Sequence, residues 1–419
     1  MGNGLDSARE IAMLKAVAAL DPVKANVAQF LENFQVDGQT CLVFEMLDRS
    51  LLQLFEETRR KPLSLSMIRP IAQQLLTAFD ALKGIGVVHS DLKIDNVMLA
   101  DHPGEPFRVK LIDFGASFYT FENVRGHLMQ PLGYRAPEVV LGLPVSEAID
   151  MWGLGCMLLS IYHAAHPFSI RCQYQYMRDI VDTLGQPADH LLSDGYFTNK
   201  FFNFDSPAWC LKTKEEYQCG TGIEPQIRKM SFKSLDDLIT LDTEKQESIE
   251  LKDQRAFVRL LKSLLHMDPE KRITPEKALQ QPFITMAHLM DDLDTSYVTE
   301  CVDKMQVCPT GEPEKELLSD NEASAPPCPG GADSAAFCSC HDDITNTPSS
   351  IDGAAAAGVI VESGSAVPLV SHGAAGPAEE TPAADGSPDE GPPFEVKESW
   401  LTIICKLFGK AITPCLQSK

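Results

Sequence analysis

His89-Ser90-Asp91-Leu92-Lys93-Ile94-Asp95-Asn96 is the stretch on which the reading of this chain turns. It sets an aspartate, a lysine and an asparagine two and three residues apart. Asp113-Phe114-Gly115 follows it, and then Ala136-Pro137-Glu138. A lone Asp-Phe-Gly is an ordinary turn tripeptide; three such motifs in this order and at these gaps are not expected by chance. Val97–Leu99 and Val109–Ile112 read as two short strands between the first two motifs. Their pairing would bring Asn96 and Asp113 together across 17 residues of sequence.

Each residue type has a physical job in phosphoryl transfer, which needs a positioned hydroxyl, cations on the phosphates and positive charge on the moving group. Asp91 would accept or orient the hydroxyl proton. Lys93 would reach the γ-phosphate. Asn96 offers a neutral oxygen to Mg²⁺, and Asp113 a hard carboxylate. Asp91, Lys93 and Asn96 are thus the catalytic candidates, and Asn96 and Asp113 the metal candidates.

Further out, Ile68, Ile71, Leu75, Phe79 and Leu82 repeat at three and four residues, predicting a buried-face helix over Ser66–Leu82 that stops at Gly84 and Gly86. Phe30–Gln35 and Thr40–Met46 read as strands around Asp37-Gly38. Ser7 with Glu10 reads as a capping box. Asp150 opens an apolar helix and is either a plain N-cap or a buried carboxylate for backbone N–H groups of the 89–96 turn. Past residue 145 the pattern is helical with long insertions.

The net charge is −23, of which residues 301–419, with 18 acidic and 6 basic side chains, carry −12. An acidic chain is a poor match for phosphate backbones, so no direct nucleic-acid partner is expected. No run of 18 apolar residues occurs, so no membrane span is expected. Met1–Asp6 lacks signal-peptide character and puts Asp6 where a myristoylation motif needs Ser or Thr. Twelve cysteines occur without a CxxC pair. Cys41, Cys156 and Cys405 read as core residues, and Cys338-Ser-Cys340-His341 lacks the partner pair a zinc site needs. Residues 301–392, with Phe337 as their only aromatic, should not bury enough surface to order. Trp400, Leu401, Ile404, Leu407 and Phe408 then share one helical face; a docking helix with a protein partner, an interfacial helix and an artefactual chain end all fit. The expected divisions are 1–47, 48–290, 291–393 and 394–419.

Several runs resemble the homeodomain-interacting protein kinases, a family of CMGC-group Ser/Thr kinases. They are Cys41–Leu47, Ile68–Gln74, Tyr134–Glu138, Leu141–Pro144, Glu147–Trp152, Phe201–Asn203 and Arg272–Thr274. The resemblance covers about residues 8–290. It implies an α+β, bilobal kinase fold with a complete, mainly helical large lobe and a truncated sheet in the small lobe. It also implies ATP with Mg²⁺, protein Ser/Thr substrates often followed by proline, and a nuclear or mixed nuclear–cytoplasmic location. Glu45 and Leu47 would meet adenine through backbone groups, with Phe44 behind the base and Met98 beneath it. Arg272 would pair with Glu138, and Asp150 would brace the catalytic loop.

Three departures stand out. Glu10 occupies the place of the helix glutamate, yet no Gly-rich loop or strand lysine precedes it in this sequence. Ser90 replaces the usual arginine. Gly133 stands where the family has a tyrosine, which leaves Arg135 short of a partner. These departures put activity in doubt and raise a second reading, a pseudokinase scaffold that binds partners or substrates of active relatives.

Overall fold

The three-and-four repeat of apolar residues from Ile68 to Leu82 makes one side of a helix hydrophobic. In the computed structural model that helix, α3 (Leu65–Gly84), buries all five of its repeat residues. Its chain turn at Gly86 needs φ +69°, a conformation open to glycine without a Cβ penalty. The structure describes residues 4–36, 39–100, 107–228, 232–239 and 248–308. Asp37-Gly38, Cys338-Ser-Cys340-His341, Cys405 and segment 394–419 lie outside them.

Before α3 come α1 (Gly4–Val17), the antiparallel pair β1 (Phe30–Val36) and β2 (Gln39–Phe44), and α2 (Leu51–Glu57). After it come β3 (Val87–Val88), β4 (Val97–Leu99), β5 (Val109–Leu111) and β6 (Phe118–Tyr119). β3 pairs with β6 and β4 with β5, both antiparallel. The helical remainder holds α4 (Pro137–Leu141), α5 (Ala148–His163) and α6 (Gln173–Leu184). An insertion follows: α7 (Asp189–Asp194), α8 (Thr198–Phe201), the hairpin β7 (Phe202–Asp205) and β8 (Ala208–Leu211), and α9 (Lys214–Thr221). The described part closes with α10 (Ile249–Leu264), α11 (Pro275–Leu279), α12 (Pro282–Thr285) and α13 (Ser296–Met305). Helices with small antiparallel sheets make this the α+β kinase-like fold that the sequence predicts.

α5 is buried on every side from Ile149 to Ile161, as a helix apolar all round must be. β1 is the opposite case. It is exposed at nearly every position, with Leu31, Phe34 and Val36 open to solvent and Phe44 of β2 exposed beside Phe30. Phe44 therefore does not sit at a closed pocket back, as the resemblance implies, because no further strand covers that side among the described residues.

Two expectations are corrected. α1 starts at Gly4, so Ser7 lies inside the helix; an N-cap needs a non-helical backbone, and the capping box with Glu10 does not form. The packed fold also continues beyond residue 290. α13 runs to Met305, and Val298, Cys301 and Cys308 are buried, the Cys308 Sγ lying 3.8 Å from Pro70 O. Cys156 is buried as expected and Cys41 half-buried.

A fully buried ion pair ties α3 to α10 and the C-terminal elements. Arg69 Nη2 donates to Asp253 Oδ2 at 2.6 Å and Arg69 Nε to Phe283 O at 2.7 Å. His288 Nε2 lies 2.8 Å from Asp253 Oδ1, and Tyr297 OH donates to Oδ2 at 2.6 Å. Burial alone would raise the Asp253 carboxyl, but His288, Arg69 and Tyr297 hold it below the usual range. Its contribution to stability is therefore present at neutral pH and lost only as pH falls through that depressed value. Tyr297→Phe should cost about 2 kcal/mol, the worth of a hydrogen bond to a charged group. Faster amide exchange confined to α13 would report it; unchanged exchange there would show that Tyr297 does not hold the helix.

Candidate active site

The β4–β5 pair sets the geometry. Ile112 N donates to Asn96 O at 3.0 Å, which fixes Asp113 beside the end of the 89–96 turn. Within that turn Asp91 Oδ2 receives Lys93 Nζ at 2.7 Å and Asn96 Nδ2 at 2.8 Å. Asn96 Nδ2 also reaches Asp91 O at 2.9 Å. Asp91 Oδ1 and Asn96 Oδ1 have no hydrogen-bond partner among the described residues. Burial alone would lower the Lys93 ammonium, yet Asp91, then Asp113 and Asp95, hold it above the ordinary lysine value. Asp91, Lys93, Asn96 and Asp113 thus share one patch, as the strand reading predicts.

The turn is braced from behind. Asp150, near the start of α5, is buried and takes His89 N at 2.7 Å and Ser90 N at 2.8 Å on its two oxygens. Burial pushes its carboxyl up, and His89 and the two N–H groups oppose that. Ser90 stands at φ +62°, a costly conformation for a residue with a side chain. Its Oγ donates to Ala116 O at 2.6 Å, and Ser117 Oγ donates back to His89 O at 3.1 Å. His89 accepts Asp91 N–H at Nδ1, so its Nε2 carries the proton and donates to Ile112 O at 3.0 Å. Its ring packs edge-on against Phe114. The 89–96 and 113–117 segments are therefore tied together by side chains as well as by the sheet. The Ser90 and Ser117 links carry no signal in sequence, because a serine's donor role depends on what folds opposite it.

Asp113 stands at φ +67° with its carboxylate exposed; its Oδ1 accepts Gly115 N at 3.3 Å. Facing it is Glu10 of α1. A Cβ built on Gly115 would lie 3.3 Å from Asp113 Oδ1 and 3.5 Å from Glu10 Oε1. Burial, then the Asp113 charge, push the Glu10 carboxyl above its usual range. Among the described residues no cation pairs with Glu10.

Glu45 and Leu47 follow β2. The Glu45 carboxylate is turned to Lys110 Nζ at 2.5 Å and Gln29 N at 2.7 Å, so its side chain is engaged within the fold. Lys110 is itself buried; sequence reading missed this pair because nothing local links positions 45 and 110. The Leu47 amide has no partner among the described residues. Met98 is half-buried on β4, bridged to Ser50.

The donor set suits Mg²⁺. The described residues contain no cluster of three or more His, Cys, Asp or Glu side chains that could cage a metal. A cation at Asp113 and Asn96 would have two hard protein oxygens and would take the rest from phosphate and water, which is how Mg²⁺ is commonly bound. No described helix is long and apolar enough to cross a membrane.

At the other end of this lobe, Arg272 donates from Nη1 and Nη2 to Glu138 at 2.6 and 2.9 Å, with both side chains fully buried. This is the bidentate pair the resemblance implies.

Residues 4–284 match the family described as protein kinase domain. Homeodomain-interacting protein kinase 2 of Mesocricetus auratus is 40% identical over 309 residues, covering 71% of this chain and 26% of that protein. Homeodomain-interacting protein kinase 1 of Caenorhabditis elegans is 34% identical over 317 residues, covering 71% and 38%. Homeodomain-interacting protein kinase 4 of Homo sapiens is 34% identical over 306 residues, covering 69% and 50%. The chain thus spans between a quarter and half the length of these curated relatives. With this match, and with the catalytic turn, the Asp-Phe-Gly segment and the Glu138–Arg272 pair in place, the chain belongs to the protein kinase domain family and, within it, to the homeodomain-interacting protein kinases.

Proposed function

We propose that residues 89–96 and 113–115 transfer the γ-phosphoryl group of ATP to Ser or Thr hydroxyls of proteins, with proline-directed sites as the first substrates to try. The observation that carries this reading is the Asp91 carboxylate, with Lys93 and Asn96 both on Oδ2. That arrangement leaves Oδ1 to accept the substrate hydroxyl proton. Lys93 has protons to spare for the transferred group, and its ammonium stays charged throughout the physiological range. Asn96 is oriented through its amide nitrogen, so its oxygen is offered to a cation. Asp113 supplies the carboxylate. Bound Mg·ATP supplies the phosphoryl group and the charge that neutralises it. Glu45 and Leu47 would hold the adenine through main-chain groups over Met98. The names of these relatives point to homeodomain proteins as their partners, and a nuclear or cytoplasmic location belongs to the same proposal.

Glu10 favours a second reading. Its carboxylate faces Asp113 with no cation beside it among the described residues, and that arrangement repels phosphates. A scaffold that binds proteins and transfers nothing would keep such a site.

Incorporation of phosphate into a Ser-Pro peptide, compared between wild type and Asp91→Asn, separates the two. The substitution should lower turnover about a hundredfold, the low end for a positioned proton acceptor. It should leave the Mg·ATP-induced rise in melting temperature in place. Wild-type turnover no higher than that of the variant would end the transfer reading and leave the scaffold.

A further inference from the structure

From Phe121 to Gly133 the chain has no serine, threonine or tyrosine. This stretch joins the Asp-Phe-Gly turn to α4. In kinases such a segment is commonly ordered by a phosphate set on one of its hydroxyls and paired with arginine. Here no hydroxyl is present to carry one.

The two ends of the stretch are fixed by other means. At its start Thr120 N donates to Gly86 O at 2.9 Å. At its far end Gln130 Nε2 donates to Ile149 O at 3.0 Å, and Gln130 Oε1 accepts Ala136 N at 2.9 Å. A Cβ built on Gly153 would lie 3.7 Å from Gln130 Nε2 and 3.6 Å from Leu92 Cβ, so this end abuts the catalytic turn.

Between these ends, residues 121–128 reach other parts of the chain through the hydrogen bonds of two side chains, among the described residues. Glu122 takes Arg9 Nη2 at 2.8 Å, an exposed pair of little energetic weight. Arg125 makes the larger set. Its Nε donates to Gly142 O at 3.2 Å and its Nη2 to Asp194 O at 2.6 Å, with the Asp194 carboxylate at 3.7 Å. Its guanidinium lies 3.9 Å over the Tyr196 ring. A planar cation gripped by oxygens at its edge and a ring on its face has little freedom left.

The groups it grips are themselves anchored. Phe197 N donates to Leu141 O at 2.8 Å, and a Cβ on Gly142 would meet Phe197 Cδ2 at 2.8 Å, so the linker between α7 and α8 packs tightly on the end of α4. Tyr196 Cδ2 stands 3.6 Å from where a Cβ on Gly126 would lie. The insertion thus touches the segment at residues 125 and 126.

We infer that Arg125 is a positioning residue, which holds residues 121–128 on the α7–α8 linker and so fixes the segment beside the catalytic turn without a phosphate. Its effect on turnover rests on the transfer reading; its effect on the segment does not.

Hydrogen exchange at residues 122–128 of the full chain tests this. Arg125→Met keeps an apolar stem and removes every donor. It should speed exchange there about tenfold, the worth of one charge-assisted hydrogen bond. The melting temperature should not change, because the side chain is 25% exposed and ties down a surface segment. Tyr196→Phe keeps the ring face and should match wild type, whereas Tyr196→Ala should speed exchange. Phosphatase treatment of wild type should change nothing in this stretch. With a Ser-Pro peptide, Arg125→Met should raise KM about tenfold and leave kcat within about twofold. Unchanged exchange in Arg125→Met, or faster exchange in phosphatase-treated wild type, overturns the inference. A fall in kcat with KM unchanged overturns the positioning role. A wild type that transfers nothing ends the transfer reading, and exchange alone then decides whether Arg125 holds the segment.

Discussion

Arg272→Ala should lose about 3–5 kcal/mol of stability, the usual result of stripping one partner from a buried ion pair. At roughly 2–4 °C per kcal/mol for a domain of this size, the melting temperature should fall by about 6–20 °C. The size of the effect follows from what is left behind. Glu138 is 1% exposed and would be left buried with its only described ion-pair partner gone. Ala148 O and His266 O would each lose a donor, at 2.8 and 2.9 Å respectively, and the Trp152 face would lose the cation 5.2 Å above it. The desolvation cost sits mainly in the orphaned charge, so the double variant Arg272→Met with Glu138→Leu should recover much of the loss. Urea denaturation of the three proteins checks this. A loss below about 1 kcal/mol for Arg272→Ala, or a double variant worse than the sum, would show that the pair is not what closes this end of the lobe.

Asp150→Ala should cost about 3–6 kcal/mol, at about 1.5–3 kcal/mol for each of the two charge-assisted bonds removed. It should also loosen the catalytic turn more than any other single change there. The His89 and Ser90 amides would be buried with no acceptor. Ser90 would then have little reason to keep its left-handed backbone, which the Asp150 bond at 2.8 Å and the Ala116 bond at 2.6 Å hold in place. Released, Ser90 moves Asp91, and the Asp91–Lys93–Asn96 cluster opens. Hydrogen exchange at His89, Ser90 and Asp91 should rise well beyond the change in global stability, and Asp150→Asn, which keeps one acceptor oxygen, should be milder. Exchange at these three amides that tracks global unfolding alone would show that the carboxylate is not a local brace.

Much of this molecule is legible in its sequence because its signals are short-range. The α3 repeat is a helix period, and the structure puts every residue of it inside. The β4 and β5 runs lie within a residue of where β-branched residues mark them, and their pairing carries Asn96 to Asp113. The Ser7 capping box failed because a four-residue pattern cannot say where a helix begins when the preceding residues are also helical. The boundary at 290 was too early because α13 is held by Asp253 and Arg69, residues of two other helices far back in the chain.

Sequence alone determined the order and spacing of the catalytic motifs, the Glu138–Arg272 pairing implied by the family pattern, and the helical character of the large lobe. The motif spacing and the helical character follow from residue chemistry at fixed separations and from periodicity, whereas the pairing of residues 138 and 272 rests on the resemblance alone. Only the tertiary structure decided that Glu10 faces Asp113 and that the Glu45 carboxylate is held by Lys110. In each case the charge of one side chain is set by a neighbour brought in from a distant part of the chain, and electrostatic energy depends on distance through space rather than along the sequence.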